Sequence, residues 1–121
     1  MVLGVRVLQD GFLSCYYLQA DNTIFRIFPN RFVTSGHVNG GFLMQIPSAS
    51  MPFGFEFSPP SGVEAVKCFV TDLDVERKVA AQIGKAAFDP LPISNERELA
   101  KIYRSLEDVT LSEASLIVSV R

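Results

Sequence analysis

Two cysteines, one histidine and two arginines near turns and apolar runs are the residues of this 121-residue chain with chemistry to weigh first. Cys15 and Cys68 fall inside strand-like runs, FLSCYYLQ and AVKCFV. No Cys-x-x-Cys spacing occurs, and a single histidine rules out a Cys2His2 zinc site. If the two strands are neighbours, or face each other across a sandwich, the thiols can join in a disulfide that closes a loop of about 53 residues. Otherwise they pack as small buried hydrophobes. His37 stands in the Gly-rich run SGHVNGG over 35–41. A Cys/His nucleophilic pair needs it beside a thiolate, and strand burial keeps thiols protonated and inert. The histidine therefore reads as an exposed loop residue.

Arg26 interrupts the apolar run IFRIF, and Arg31 follows the turn sequence Phe-Pro-Asn. Their guanidinium forks can bind a carboxylate or phosphate, with Tyr16 and Asn30 beside them. The alternative is an internal ion pair, such as an arginine with Glu64, that pins one strand end; the residues favour this second reading. Asn30 fits the usual service of asparagine at turns, satisfying loop backbone groups. Tyr16 and Tyr17 project to opposite faces of a strand, so one of them is available to a binding surface. Glu56, Asp72 and Asp74 are scattered, and nothing in their spacing builds the split-pKa pair that acid–base catalysis needs. The chain has no Gly-x-Ser-x-Gly elbow, P-loop or dinucleotide fingerprint. No catalytic residue, metal ligand or cofactor-binding residue is assigned, and the expectation is a non-enzyme without a cofactor.

The elements that must position these residues are mostly strands. Alternation and β-branched content predict strands over 2–8, 12–19 and 23–28, the last two joined at Asp21-Asn22 as a hairpin. Strict alternation in the third places Ile24, Arg26 and Phe28 on one face. Further strands are expected over 42–46, over 53–57 (where Phe53, Phe55 and Phe57 form an aromatic stripe), over 63–71 and over 116–120. The polar loop over 35–41 and a turn over 59–62 separate them. Val75, Val79 and Ile83 recur at helical spacing and suggest a short helix, or a turn or two, over 74–83, ended by Gly84. The clearest helix starts at Asn95, with Glu98 as its capping-box partner and Leu99, Ile102, Tyr103 and Leu106 on one face. About seven short strands and one late amphipathic helix give an α+β domain dominated by an antiparallel β-sandwich.

Composition bounds the rest. One domain over 1–121 accounts for the length, and about two-thirds of its extended surface is buried on folding. Ten phenylalanines, three tyrosines and no tryptophan make an aromatic core. A net charge of −2 argues against a phosphate-tracking nucleic-acid binder. No apolar run reaches the ~20 residues of a membrane-spanning helix. Arg6 interrupts the apolar start, so no signal peptide is read there, and the Leu-Ser-Cys string ending at Cys15 is a strand rather than a lipoprotein cleavage box.

The order of motifs resembles the bacterial domain-of-unknown-function family 4384. The matching strings are Cys15-Tyr16-Tyr17-Leu18-Gln19, the Asp-Asn turn, Arg26-Ile27-Phe28-Pro29-Asn30-Arg31-Phe32, Leu43-Met44-Gln45-Ile46-Pro47, Gly62-Val63-Glu64 and Cys68-Phe69-Val70-Thr71-Asp72. They cover residues 1–75. The resemblance implies an Ig-like sandwich used as a non-catalytic module, excised from a longer protein. It also implies a periplasmic or envelope location, where a disulfide is permitted. The expected function is an accessory or interaction module of a bacterial cell-envelope protein, with a protein partner, no nucleic acid and no membrane insertion by this segment. An exposed edge strand, or the loops over 35–41 and 51–54, would carry the contact. Two alternatives stand beside it. One is an anionic-ligand or glycan-binding module using Tyr16, Arg26 and Arg31. The other is a regulatory domain attached to an enzyme.

Overall fold

The computed structural model describes residues 3–41, 43–46, 62–84 and 87–120. Five strands come first: β1 (Leu3–Arg6), β2 (Gly11–Leu18), β3 (Ile24–Phe28), β4 (His37–Val38) and β5 (Leu43–Ile46). They are followed by β6 (Gly62–Thr71), α1 (Glu76–Ile83), α2 (Glu96–Arg104) and β7 (Leu111–Val120). The strand expected over 53–57, the loop over 51–54 and the turn residues 59–61 lie outside the described residues, as does Glu56.

The described residues are mostly antiparallel β-structure with two helices. The main sheet runs β3-β2-β6-β7, with β4 also on β2; β1 and β5 form a separate two-stranded sheet. Every pairing is antiparallel. β2 is the hub: β3 pairs with its second half, β4 with Gly11 and Phe12, and β6 with its other edge. The β2–β3 hairpin closes where the sequence predicts. Asp21 Oδ1 accepts from the Thr23 amide at 2.9 Å, and Asn22 takes the positive φ of 71° that asparagine tolerates.

Each face of the sheet has its own core. On one, Leu13, Cys15, Tyr17, Val66 and Cys68 pack with Ile27, Phe28 and Ile46, and Val5 and Met44 of the small sheet lean on them. On the other, Tyr16, Ile24 and Phe69 meet Val75, Val79 and Ile83 from α1 and its start, and Leu99, Ala100, Ile102 and Tyr103 from α2. The alternation expected in β3 does not hold to its end. The register slips between Cys15 and Tyr16, so Phe28 pairs with Cys15 while Arg26 pairs with Tyr16. This bulge puts Ile27 and Phe28 together on the disulfide side and leaves Ile24 and Arg26 on the helix side.

Three further differences from the expected elements have local causes. The 2-residue β4 sits inside the run expected to be a loop, because Gly36 lets the backbone approach β2. The Leu13 amide donates to the Gly36 carbonyl at 2.8 Å, and a Cβ on Gly36 would lie 2.7 Å from the Leu13 carbonyl oxygen. Of the short helix, or turn or two, expected at Val75, Val79 and Ile83, the helix forms, as α1, so the described residues hold two helices where the expected fold has one. The late helix, α2, is followed by β7, which starts at Leu111, five positions before the apolar stretch expected as the last strand, on a polar alternating run that β6 pairs throughout. The Asn95 cap of α2 forms as predicted: Asn95 Oδ1 accepts from the Glu98 amide at 2.8 Å, and its Nδ2 donates to Glu98 Oε1 at 3.0 Å.

The two outer edges of the main sheet differ. Along β3, the Phe88 amide donates to the Arg26 carbonyl at 3.0 Å and the Leu91 amide to the Ile24 carbonyl at 2.8 Å. Pro90 and Pro92 in that segment lack amide donors, so it covers the edge without extending the sheet. β7 pairs only with β6 among the described residues.

Cys15 and Cys68 face each other across β2 and β6, with Cα atoms 4.1 Å apart, and are joined as a disulfide. It links neighbours within one sheet across a sequence separation of 53. The chain-entropy relation assigns about 4 kcal/mol to closure of a loop of this length. Cys15→Ala combined with Cys68→Ala is expected to lower the unfolding free energy in urea by about 2–4 kcal/mol. The denaturation midpoint with and without reductant checks this; equal midpoints would show that the cross-link contributes no stability.

Candidate functional site

Three polar side chains lie level with one another on the helix-facing side of the sheet. Arg26 of β3 is opposite Tyr16 of β2, and Tyr16 is opposite Lys67 of β6. All are buried, at 8%, 0% and 6% exposure. Polar groups taken from water need partners, and buried charges need them most. The covering elements supply one for each. Arg26 Nη1 donates to Glu76 Oε1, at the first turn of α1, at 2.5 Å. The Tyr16 and Tyr103 hydroxyls share a hydrogen bond at 2.6 Å, which ties β2 to α2. Lys67 Nζ lies 3.0 Å from Glu113 of β7 and 3.4 Å from Glu96 of α2.

Ring packing fixes the row from above. The Tyr103 ring stacks on Phe69 with centroids 4.1 Å apart and meets Tyr16 edge-on at 6.0 Å. Lys67 Nζ sits 5.6 Å from the centre of the Phe69 ring. Glu113 also accepts both arms of a bidentate bond from Arg104, each at 2.8 Å. That bond, with a second from Lys67, holds the Glu113 carboxyl at about 2, well below its ordinary value. Burial pushes the Tyr16 and Tyr103 hydroxyls upward, so both stay neutral across the physiological range.

The residues singled out in the sequence therefore separate. Tyr16 and Arg26 belong to this covered row. Tyr17, the other tyrosine of the pair, is equally buried, at 1% exposure, so neither ring is left to a surface. Arg26 does form an internal ion pair, with Glu76 as its partner. Asn30 is buried and organises the turn after β3. Its Oδ1 accepts from the Phe32 and Val33 amides at 2.9 and 3.0 Å, and its Nδ2 donates to the Ile27 carbonyl at 2.9 Å.

Arg31 is exposed, its guanidinium 5.2 Å from the Phe32 ring centre and 5.6 Å from that of Phe88, two residues packed against the disulfide-side core. Arg26 and Arg31 thus serve different layers and do not converge on one anion. Glu64 lies in β6 opposite Val118, and its side chain is outside the described residues. His37 is exposed and packs edge-on against Phe12 at 5.5 Å, while both cysteines are held in the disulfide. Asp72 Oδ1 accepts from the Thr110 amide and Asp74 Oδ1 from the Glu76 amide, so the carboxylates organise the ends of β6 and β7 and the start of α1.

Lys67, Glu76, Tyr103 and Glu113 were not among the sequence candidates. For Lys67 the signal was present: a cation between Ala65 and Phe69 on the inward face of a strand breaks the apolar pattern just as Arg26 does. Tyr103 reads as an ordinary member of a helical stripe, and its hydroxyl partner, 87 positions away, has no local signature. Among the described residues, no three His, Cys, Asp or Glu side chains gather as a metal site, and no helix is long and apolar enough to cross a membrane. A cleft of about 480 Å³ runs between the segment after β1 and the β6–β7 strands, with Val7, Leu13, Cys68, Val70 and Ala114 on its walls.

Tyr16→Phe removes one hydroxyl from the buried pair and takes the Tyr16 partner from the Tyr103 hydroxyl. The expected cost is about 1–2 kcal/mol in urea unfolding; no change would show that the shared bond adds nothing. Glu113 is held ionised in the folded chain, so its stabilisation is complete above the ordinary carboxylate value near 4.5 and fades as pH falls toward about 2. The stability gap between the native chain and Glu113→Gln is expected to close across that window; a gap that stays constant between pH 5 and pH 2 would overturn the assignment.

Comparison with curated proteins and with solved structures gives no match. The sequence model of one family matches residues 1–73. That span carries the disulfide and the three sheet residues of the polar row, and it stops before the helices that cover them. It is more than half of the chain, which therefore belongs to the family described as a domain of unknown function (DUF4384).

Proposed function

We propose that the chain is a non-enzymatic interaction module of a bacterial cell-envelope protein, and that it engages a polypeptide along β7. The observation that carries this reading is the contrast between the two sheet edges. The β3 edge is covered by a proline-bearing segment, whereas β7 runs for 10 residues with β6 as its one partner among the described residues. Unprotected edge strands offer a row of amides and carbonyls to any extended chain, and proteins usually blunt them with lysine, proline or a bulge. The β7 sequence LSEASLIVSV has neither lysine nor proline, and its one charged residue, Glu113, is engaged by Lys67 and Arg104. Addition of a strand at such an edge is a common mode of peptide recognition.

Two further observations agree with this reading. A disulfide between neighbouring strands suits an oxidising compartment such as the envelope. The polar residues best suited to ligand chemistry, Tyr16, Arg26 and Asn30, are engaged in internal contacts instead. The same reading takes the β1–β5 sheet, packed on the disulfide side of the main sheet, as the second layer of a sandwich. An immunoglobulin relationship rests on that layering, although the Cys15–Cys68 bond joins neighbours rather than two facing sheets as in antibody domains.

A photo-crosslinking residue at Ala114, exposed on β7, tests the reading in bacterial cells, with the same residue at Arg97 on the outer side of α2 as control. The expected result is a polypeptide adduct from position 114 alone, recovered in the envelope fraction, with both cysteines inaccessible to alkylation until reduced. No adduct at 114, or free thiols in a cytosolic fraction, would overturn it.

A further inference from the structure

We infer that the polypeptide that pairs with β7 is β7 of a second copy, giving a two-fold dimer with one sheet continuous through both chains. This rests on the proposed interaction role of β7 and names the partner. When two identical edges pair antiparallel, the two-fold axis stands perpendicular to the sheet, and residues equidistant from it face each other. Facing residues must also project to the same side of the sheet. The axis must therefore pass through a residue position, not between two positions. For a paired stretch of at least seven residues that includes 116–118, it passes through Ser115, Leu116 or Ile117.

The residue types separate these three registers. With the axis at Ser115, Glu113 faces Ile117 and Ser112 faces Val118. With the axis at Leu116, Ser115 faces Ile117, Ser112 faces Val120 and Glu113 faces Ser119. With the axis at Ile117, like meets like throughout: Ile117 pairs with Ile117, Leu116 with Val118, Ala114 with Val120 and Ser115 with Ser119. In this third register Glu113 falls outside the paired stretch 114–120, so the two carboxylates stand at opposite ends of the joint. Each also remains in its own ion pairs with Lys67 and Arg104. Cross-strand pairs of apolar with apolar and hydroxyl with hydroxyl stabilise such a ladder, and like charges face to face oppose it. The third register satisfies both conditions. Helices α1 and α2 lie on one side of each sheet, so the perpendicular axis puts both pairs on the same side of the joined sheet, clear of the joint at β7.

Sedimentation equilibrium of the 121-residue chain tests the inference, together with cysteine pairing in variants that keep the native disulfide. The expected result is a reversible monomer–dimer equilibrium, weakened at least tenfold by Val118→Lys. Under mild oxidant, Ile117→Cys is expected to give a covalent dimer. Ser115→Cys alone should give none, but should cross-link when mixed with Ser119→Cys. The cysteine variants report the register even if Val118→Lys does not fold. A chain that stays monomeric throughout, or a dimer that cross-links at Arg97→Cys instead of Ile117→Cys, would overturn self-pairing. If the chain is monomeric and a photo-adduct at Ala114 contains a different protein, self-pairing fails while the interaction role of β7 stands. If Ala114 gives no adduct of any kind, that role fails too.

Discussion

Arg26, Tyr16 and Lys67 stand side by side on three adjacent strands, and the helical layer closes over them only because each meets a polar partner there. A buried cation left without a counter-charge costs several kcal/mol, enough to outweigh much of what a small apolar layer contributes. Glu76 fixes α1 over β3, Tyr103 fixes α2 over β2, and Glu96 and Glu113 close over β6. Apolar contacts alone let two short helices slide across a sheet at small cost, because hydrophobic burial has no direction. The hydrogen bonds and ion pairs have direction, and they give the helices one position.

The opposite face is held by different means. There the Cys15–Cys68 bond joins the two central strands, and the bulge in the β2–β3 pairing turns Ile27 and Phe28 toward the same core. The bulge has an effect on both layers. It adds an aromatic ring to the disulfide side, and it leaves Arg26, rather than Ile27, at the position level with Tyr16. One irregularity in pairing thus decides which side of the sheet is polar.

The parts of this architecture legible in the sequence were those written locally. The hairpin at Asp21-Asn22, the capped helix at Asn95 and the run of β6 all follow from contacts within a few residues. The charged residue in an apolar strand also marked Arg26 as a group with a partner, but Glu76 lies 50 positions away and no periodicity points to it. Phe28 was assigned to the wrong side because strict alternation has no means of announcing a bulge. β4 was hidden in a polar loop, since two residues carry no pattern, and the start of β7 was hidden by its serines and glutamate. The candidate ligand groups Tyr16, Arg26 and Asn30 were visible as unusual residues. Their unusual character reflects the assembly of layers, which a linear reading cannot distinguish from recognition.

The family match ends at residue 73, just past the last residue of β6, and so cuts the sheet between β6 and β7. It also separates each member of the polar row from its cover, because Glu76, Glu96, Tyr103 and Glu113 all follow that boundary. Residues 74–120 are therefore the closing half of a core rather than an appendage. An Arg, Tyr and Lys level on three strands call for a roof with matching acids and a hydroxyl, and here residues 74–113 supply it. The module to be moved, fused or crystallised is then the matched span together with that roof.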